Sequence, residues 1–120
     1  FVNALIVNAG FTPTPAERQA FIDEFGTATD TINTAARARA LRAIAENATL
    51  SAQEKNKAFV LMEYFGYMRR NPYDPPESTL DYGGYNFWLG KLNQFNGNFV
   101  DAEMVKAFIV SGEYRQRFGP

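Results

Sequence analysis

Four acidic or amide side chains fall close together in one stretch rich in proline and glycine: Asn71, Asp74, Glu77 and Asp81, within Asn71–Gly84. Carboxylates and amide carbonyls are the hard ligands that Ca2+ takes, so the stretch is a candidate calcium loop. Its spacing is not that of an EF-hand. The same residue types also cap helix ends and close turns, and that structural use is the preferred reading. Aromatic side chains interleave with the acids. Tyr73, Tyr82, Tyr85 and Trp88, with Tyr67 before them, offer ring faces on which sugars stack, and Asn86, Asn93 and Asn96 offer amides. Packing in a core is the competing use, and it suits Phe87 and Trp88 at helical spacing. Tyr73 and Tyr82, between prolines and glycines, are harder to bury. Arg69 and Arg70 could clamp a phosphate; pairing of one of them with Asp74 or Glu113, pinning the loop to the last helix, is the preferred expectation. Asn47-Ala48-Thr49 is a glycosylation sequon. Thr12, Thr14 and the run Thr27–Thr34 are candidate positions for O-linked sugars.

Catalysis is poorly provided for. The chain has no cysteine and no histidine. It therefore has no thiolate nucleophile, no disulfide, no imidazole base and no Ser-His-Asp triad. A carboxylate pair, Glu63 with Asp74 or Asp81, is the one arrangement that could serve a glycosidase-like reaction. The expectation is a protein that is not an enzyme and has no resident cofactor, calcium apart. Twelve basic residues oppose 13 acidic ones, for a net charge of -1. Without a basic field, nucleic acid and anionic membranes are disfavoured partners. The apolar start, Phe1–Val7, is far shorter than a membrane span and is interrupted by Asn3. The start at Phe1, without methionine or signal peptide, reads as processed or excised.

These residues must be positioned by helices, because no stretch alternates as a strand does. Hydrophobic residues make up 46% of the 120, enough for a core. Phe1–Gly10 reads as a short helix stopped by Gly10, with Phe1, Val2, Leu5 and Ile6 inward. Thr14-Pro15-Ala16-Glu17 is a capping box opening a helix through Phe25. Ala35–Asn47 follows, with Leu41, Ile44 and Ala45 inward. Ser51-Ala52-Gln53-Glu54 reads as a second capping box, opening the longest helix to about Arg70. Its inner face is expected at Phe59, Met62, Phe65 and Tyr64 or Met68. Asn71 to Gly84 is the long irregular loop. Tyr85–Phe95 carries Phe87 or Trp88, Leu89 and Leu92 inward; Phe99–Val110 carries Val100, Met104, Ala107 and Phe108. Ser111 caps a final turn with Tyr114 and Phe118. The expected fold is a small all-α domain of about six helices spanning residues 1–120, its core closing around Trp88.

The halves, 1–50 and 51–120, read as degenerate repeats. Phe1-Val2 aligns with Phe59-Val60, Phe21-Ile22-x-x-Phe25 with Trp88-Leu89-x-x-Leu92, and Leu41-Arg42-Ala43-Ile44 with Val105-Lys106-Ala107-Phe108. Asn47-Ala48-Thr49-Leu50 then falls on Ser111-Gly112-Glu113-Tyr114. Repeats of this kind stack apolar faces they cannot bury alone.

Phe59–Tyr67, Arg69-Arg70-Asn71-Pro72, Gly84-Tyr85-x-Phe87-Trp88-Leu89 and Ala107-Phe108-x-x-Ser111-x-Glu113-Tyr114, in that order, resemble the bacterial domain of unknown function 4214. The resemblance covers residues 59–118; residues 1–50 are a degenerate copy that lacks the Arg-Asn-Pro loop and has Phe21 in place of the tryptophan. It implies a helical module, distantly similar to phycobilisome linker domains, in a secreted or cell-surface bacterial protein, and brings no catalytic residues. It also makes Arg115–Pro120 look like the natural end of such a chain. The resulting expectation is a structural or interaction module that self-associates, as a homo-oligomer, surface layer or filament, or that contacts other surface proteins. The competing expectation is a ligand-binding module for calcium or glycans, using the loop 71–84.

Overall fold

The computed structural model describes residues 1–27 and 32–119. Within them the chain is all-helical: seven α-helices, a five-residue π-helical turn and no strand. The chain divides into two compact units, Phe1–Gln53 and Glu54–Pro120, and passes from one to the other inside a single helix.

The first unit holds α1 (Val2–Ala9), α2 (Pro15–Asp23), α3 (Thr34–Ala45) and the opening turns of α4 (Ala48–Glu63). Gly10 ends α1 in the left-handed region at φ 67°, where its N–H donates to the carbonyls of Ile6 and Val7. Thr14 and Glu17 cap α2 reciprocally, as the sequence predicts: the Glu17 carboxylate takes the Thr14 N–H at 2.8 Å, and Thr14 Oγ1 accepts the Glu17 N–H at 3.3 Å. Val2, Phe11, Phe21, Ala40, Ile44 and Leu50 form the core. The inner face of α3 is Ala36, Ala40 and Ile44, at successive i+4 positions, while Leu41 and Ala45 are exposed. Small residues let α1 and α2 pack close to α3, so the bulkier Leu41 is left outside. Phe1 packs edge-on against Phe25 with ring centroids 5.8 Å apart, under the Arg37 guanidinium.

The second unit holds the rest of α4, the π-turn (Tyr64–Met68), α5 (Gly83–Gln94), α6 (Met104–Ile109) and α7 (Gly112–Phe118). Its core is Val60, Tyr64, Met68, Leu92, Ala102, Met104 and Phe108. Val60, Tyr64 and Met68 line the inner face, whereas Met62 and Phe65 stand in solvent, a correction to the expected face. Val100 is also exposed, because residues 99–103 are turns and α6 starts only after Glu103, at φ 50°. Trp88 packs at the edge of this core, not at its centre; Leu92, Met104 and Val60 are its largest fully buried side chains. Each unit thus has its own cluster in place of one core closing on the tryptophan.

The second capping box is also corrected. Asn47, not Ser51, starts the longest helix: Asn47 Oδ1 accepts the N–H groups of Thr49 and Leu50 at 3.0 and 3.1 Å. Ser51 lies one turn inside α4.

Candidate functional site

The longest irregular run among the described residues, 69–82, is organised by one arginine. The π-turn ends where Arg69 adopts the left-handed conformation at φ 54°, which turns the chain away. Arg70 is then nearly enclosed. Its guanidinium makes a two-point contact with the Glu113 carboxylate, 2.8 Å from Nε to Oε1 and 3.1 Å from Nη2 to Oε2. Nη1 donates to three carbonyls of the run itself, those of Asn71, Pro72 and Asp74, at 3.0–3.1 Å. It lies 5.2 Å from the Tyr64 ring centroid. Arginine suits this place because its planar fork serves a carboxylate and several carbonyls at once. Hydrogen bonding to Glu113, above all, raises the Arg70 pKa further, so the charge is permanent. The expected pinning of the run to the last helix is therefore present, with Arg70 and Glu113 as the partners. With its donors so engaged, Arg70 is not available as a phosphate clamp.

The four acidic or amide residues are spread along the run. Asp74 Oδ2 accepts the Asn71 N–H at 3.0 Å and the Asn71 side-chain amide at 2.8 Å, closing a turn. Asp81 Oδ1 takes the Gly83 N–H at 2.7 Å at the start of α5, and that bond, above all, lowers its pKa. Glu77 Oε2 lies beside Gly84, where a Cβ would come within 3.1 Å of it and within 2.7 Å of the Tyr64 hydroxyl. Glycine at 84 is what lets α5 start this close to the run. Among the described residues no three carboxylates are grouped to hold an ion. Asn71, Asp74 and Asp81 act as turn and helix caps.

The aromatic residues separate into two sets. Tyr73, Tyr82 and Tyr85 form a row, with ring centroids 5.3 and 5.9 Å apart. Tyr73 and Tyr82 are 42% and 48% exposed, while the Tyr85 hydroxyl is tied to the Lys57 carbonyl at 3.2 Å. Trp88 instead packs on Phe108, with ring centroids 5.4 Å apart, and carries Lys91 over its face. Two shallow grooves accompany the aromatics. One, of about 360 Å3, is lined by Phe99, Val100, Glu103, Val105 and Lys106. The other, of about 400 Å3, is lined by Asn86, Phe87, Gly90, Lys91 and Gln94.

No family model, curated protein or solved structure matches the chain. The chemistry of the surface is therefore read from the chain's own residues.

Of the candidate glycosylation positions, Asn47 is 9% exposed and its amide nitrogen donates to Glu17 Oε1 at 2.7 Å, so the sequon asparagine is spent as a helix cap. Thr14 is held in its own capping box, and Thr12 is exposed. In the run Thr27–Thr34, residues 28–31 lie outside the described residues; Thr34 opens α3 behind the Asn33 cap. No helix among the described residues is long and apolar enough to cross a membrane.

Two features escape sequence reasoning. Glu63 is 5% exposed, and its Oε2 has no hydrogen-bond partner. Its position one residue before Tyr64 and three after Val60 was the available signal, since that spacing turns it toward the apolar side. Leu80 is exposed at φ 50°, beside Asp81. Nothing in its residue type announces a left-handed backbone.

Proposed function

We propose that the chain is a non-catalytic structural and interaction module of a secreted or cell-surface bacterial protein, and that it self-associates. The observation that carries this reading is the apolar surface of the second unit. Met62, Phe65, Leu80, Phe87, Val100 and Val110 are each about half exposed to solvent or more. A monomer normally exposes such side chains singly; several on one 67-residue unit favour contact with another protein. The net charge of -1 opposes association only weakly. Surface placement and the bacterial source rest on the resemblance to the domain of unknown function 4214. The balanced charge argues against nucleic acid as a partner.

The same reading takes the units as degenerate copies. Val2 and Val60, and Ile44 and Phe108, are buried at aligned positions. Asn47 and Ser111, also aligned, each cap the helix that follows.

A second reading, glycan binding, is favoured by one specific observation: Tyr73 and Tyr82 are exposed on a run already fixed by Arg70, so little ordering would be needed to present their rings. Calcium in the same run would have to share Asp74 and Asp81 with the caps they make through Oδ2 and Oδ1.

Light scattering on the purified chain, with and without a chelator, separates these readings. Particles well above 13.5 kDa that persist in chelator support self-association. A monomer that binds oligosaccharide, with binding lost in Tyr73→Ala and Tyr82→Ala, supports the second reading.

A further inference from the structure

Glu63 is the one buried acid in the second unit's core face without a partner among the described residues. It is the last residue of α4, immediately before the chain widens into the π-turn. Its side chain is enclosed, and Oε2 meets neither donor nor water-sized opening of its own: its accessible area is below 1 Å2. An ionised carboxylate so placed loses its hydration at Oε2 with no donor to replace it, which is costly in a folded chain. A protonated carboxyl avoids that cost. π-turns are rare and frequently lie at functional sites, and this one begins directly after the acid.

We propose that Glu63 is a protonation switch built into the junction of α4 and the π-turn: as the neutral acid it seals the second unit's core, and as the carboxylate it loosens that junction and favours local opening of residues 60–70.

The surroundings leave burial to act alone. Desolvation pushes the Glu63 pKa up to about 6, with no charged neighbour contributing. The π-turn packs chiefly against α6 and α7, whose titratable groups are Lys106, Glu113, Tyr114, Arg115 and Arg117, and α5, in the same core, adds Tyr85 and Lys91. Lys106 pairs with Glu103, and Glu113 with Arg70 and Arg117. The neighbouring phenols of Tyr64 and Tyr85 are shifted upward, chiefly by burial, and stay neutral throughout. Between an unfolded value near 4.5 and about 6, the folded chain binds more protons than the unfolded one, so stability falls as pH climbs through that window and is level above it. A rise of this size corresponds to roughly a 30-fold change in the unfolding equilibrium constant.

The test is urea unfolding of the whole chain from pH 4 to pH 8, for the wild type and Glu63→Gln, whose amide imitates the neutral acid. The expected result is a wild-type-to-variant stability ratio that changes roughly 30-fold across the window, with amides 60–70 exchanging faster in the wild type than in the variant at pH 7.5. Parallel pH profiles for the two proteins would overturn the proposal. Should the variant fail to fold, carboxyl-carbon NMR of the wild type decides. A Glu63 midpoint near 6 supports the switch, and an ordinary midpoint near 4.3 removes it.

Discussion

Arg70 ties three backbone carbonyls and the Glu113 carboxylate into one knot, and both side chains are largely enclosed, at 10% and 18% exposure. Removing one member leaves the other charged and short of partners. Arg70→Ala or Glu113→Ala should therefore cost roughly 3 kcal/mol in urea unfolding. Arg70→Lys should recover little of it, because an ammonium cannot make the two-point contact while also serving the carbonyls. A loss below about 0.5 kcal/mol, typical of an exposed pair, would show that the knot does not hold the run. That one of Arg69 and Arg70 would pin the run through an acid was legible in the sequence; that it is Arg70, and that the acid is Glu113 and not Asp74, depends on how the chain turns at Arg69. The placing of Asp74 and Asp81 as caps was equally legible from their turn context. Glu63 was not, because its spacing from Val60 marks it as inward only once Val60, and not Met62, is known to lie on the buried side of α4.

At the scale of the element, the sequence misplaced a helix start because two cap signals lie four residues apart. Ser51 with Glu54 makes the better written motif, but Asn47 is held by Glu17 from the preceding helices and so fixes the start one turn earlier. Asn47→Ala should cost about 1–2 kcal/mol, since two helix N–H groups lose their acceptor. Ser51→Ala should change stability by less than about 0.5 kcal/mol, being an exposed position inside the helix. Equal effects of the two substitutions would restore Ser51 as the cap. The inner faces of α3 and α4 were misread for a related reason. Apolar residues lie on more than one side of α3 and of the last turns of α4, so periodicity offers two faces; packing selects Ala36, Ala40 and Ile44 in α3, and Val60 in α4 with Tyr64 and Met68 of the π-turn. The π-turn adds a residue to the helical register and shifts every position after Glu63, which no 3.6-residue pattern anticipates.

At the scale of the whole molecule, the all-α character followed from the absence of strand-like alternation and the density of cap signals. The division of the core did not, because Trp88, the largest side chain, drew the expectation of a single centre. The centre of the second unit is instead Leu92 and Met104, both buried completely. Leu92→Ala should cost about 2–5 kcal/mol, and Trp88→Phe, at the edge, distinctly less; thermal unfolding of the two variants checks the order. Self-association is proposed from the apolar residues that the second unit's core leaves outside, among them Phe65, Phe87 and Val100, each at least half exposed. The most direct measurement is light scattering of the purified chain across a concentration series in chelator, beside a Phe87→Ser, Val100→Ser double variant. Self-association predicts particles that grow with concentration and are diminished in the variant. A 13.5 kDa monomer at every concentration would contradict it.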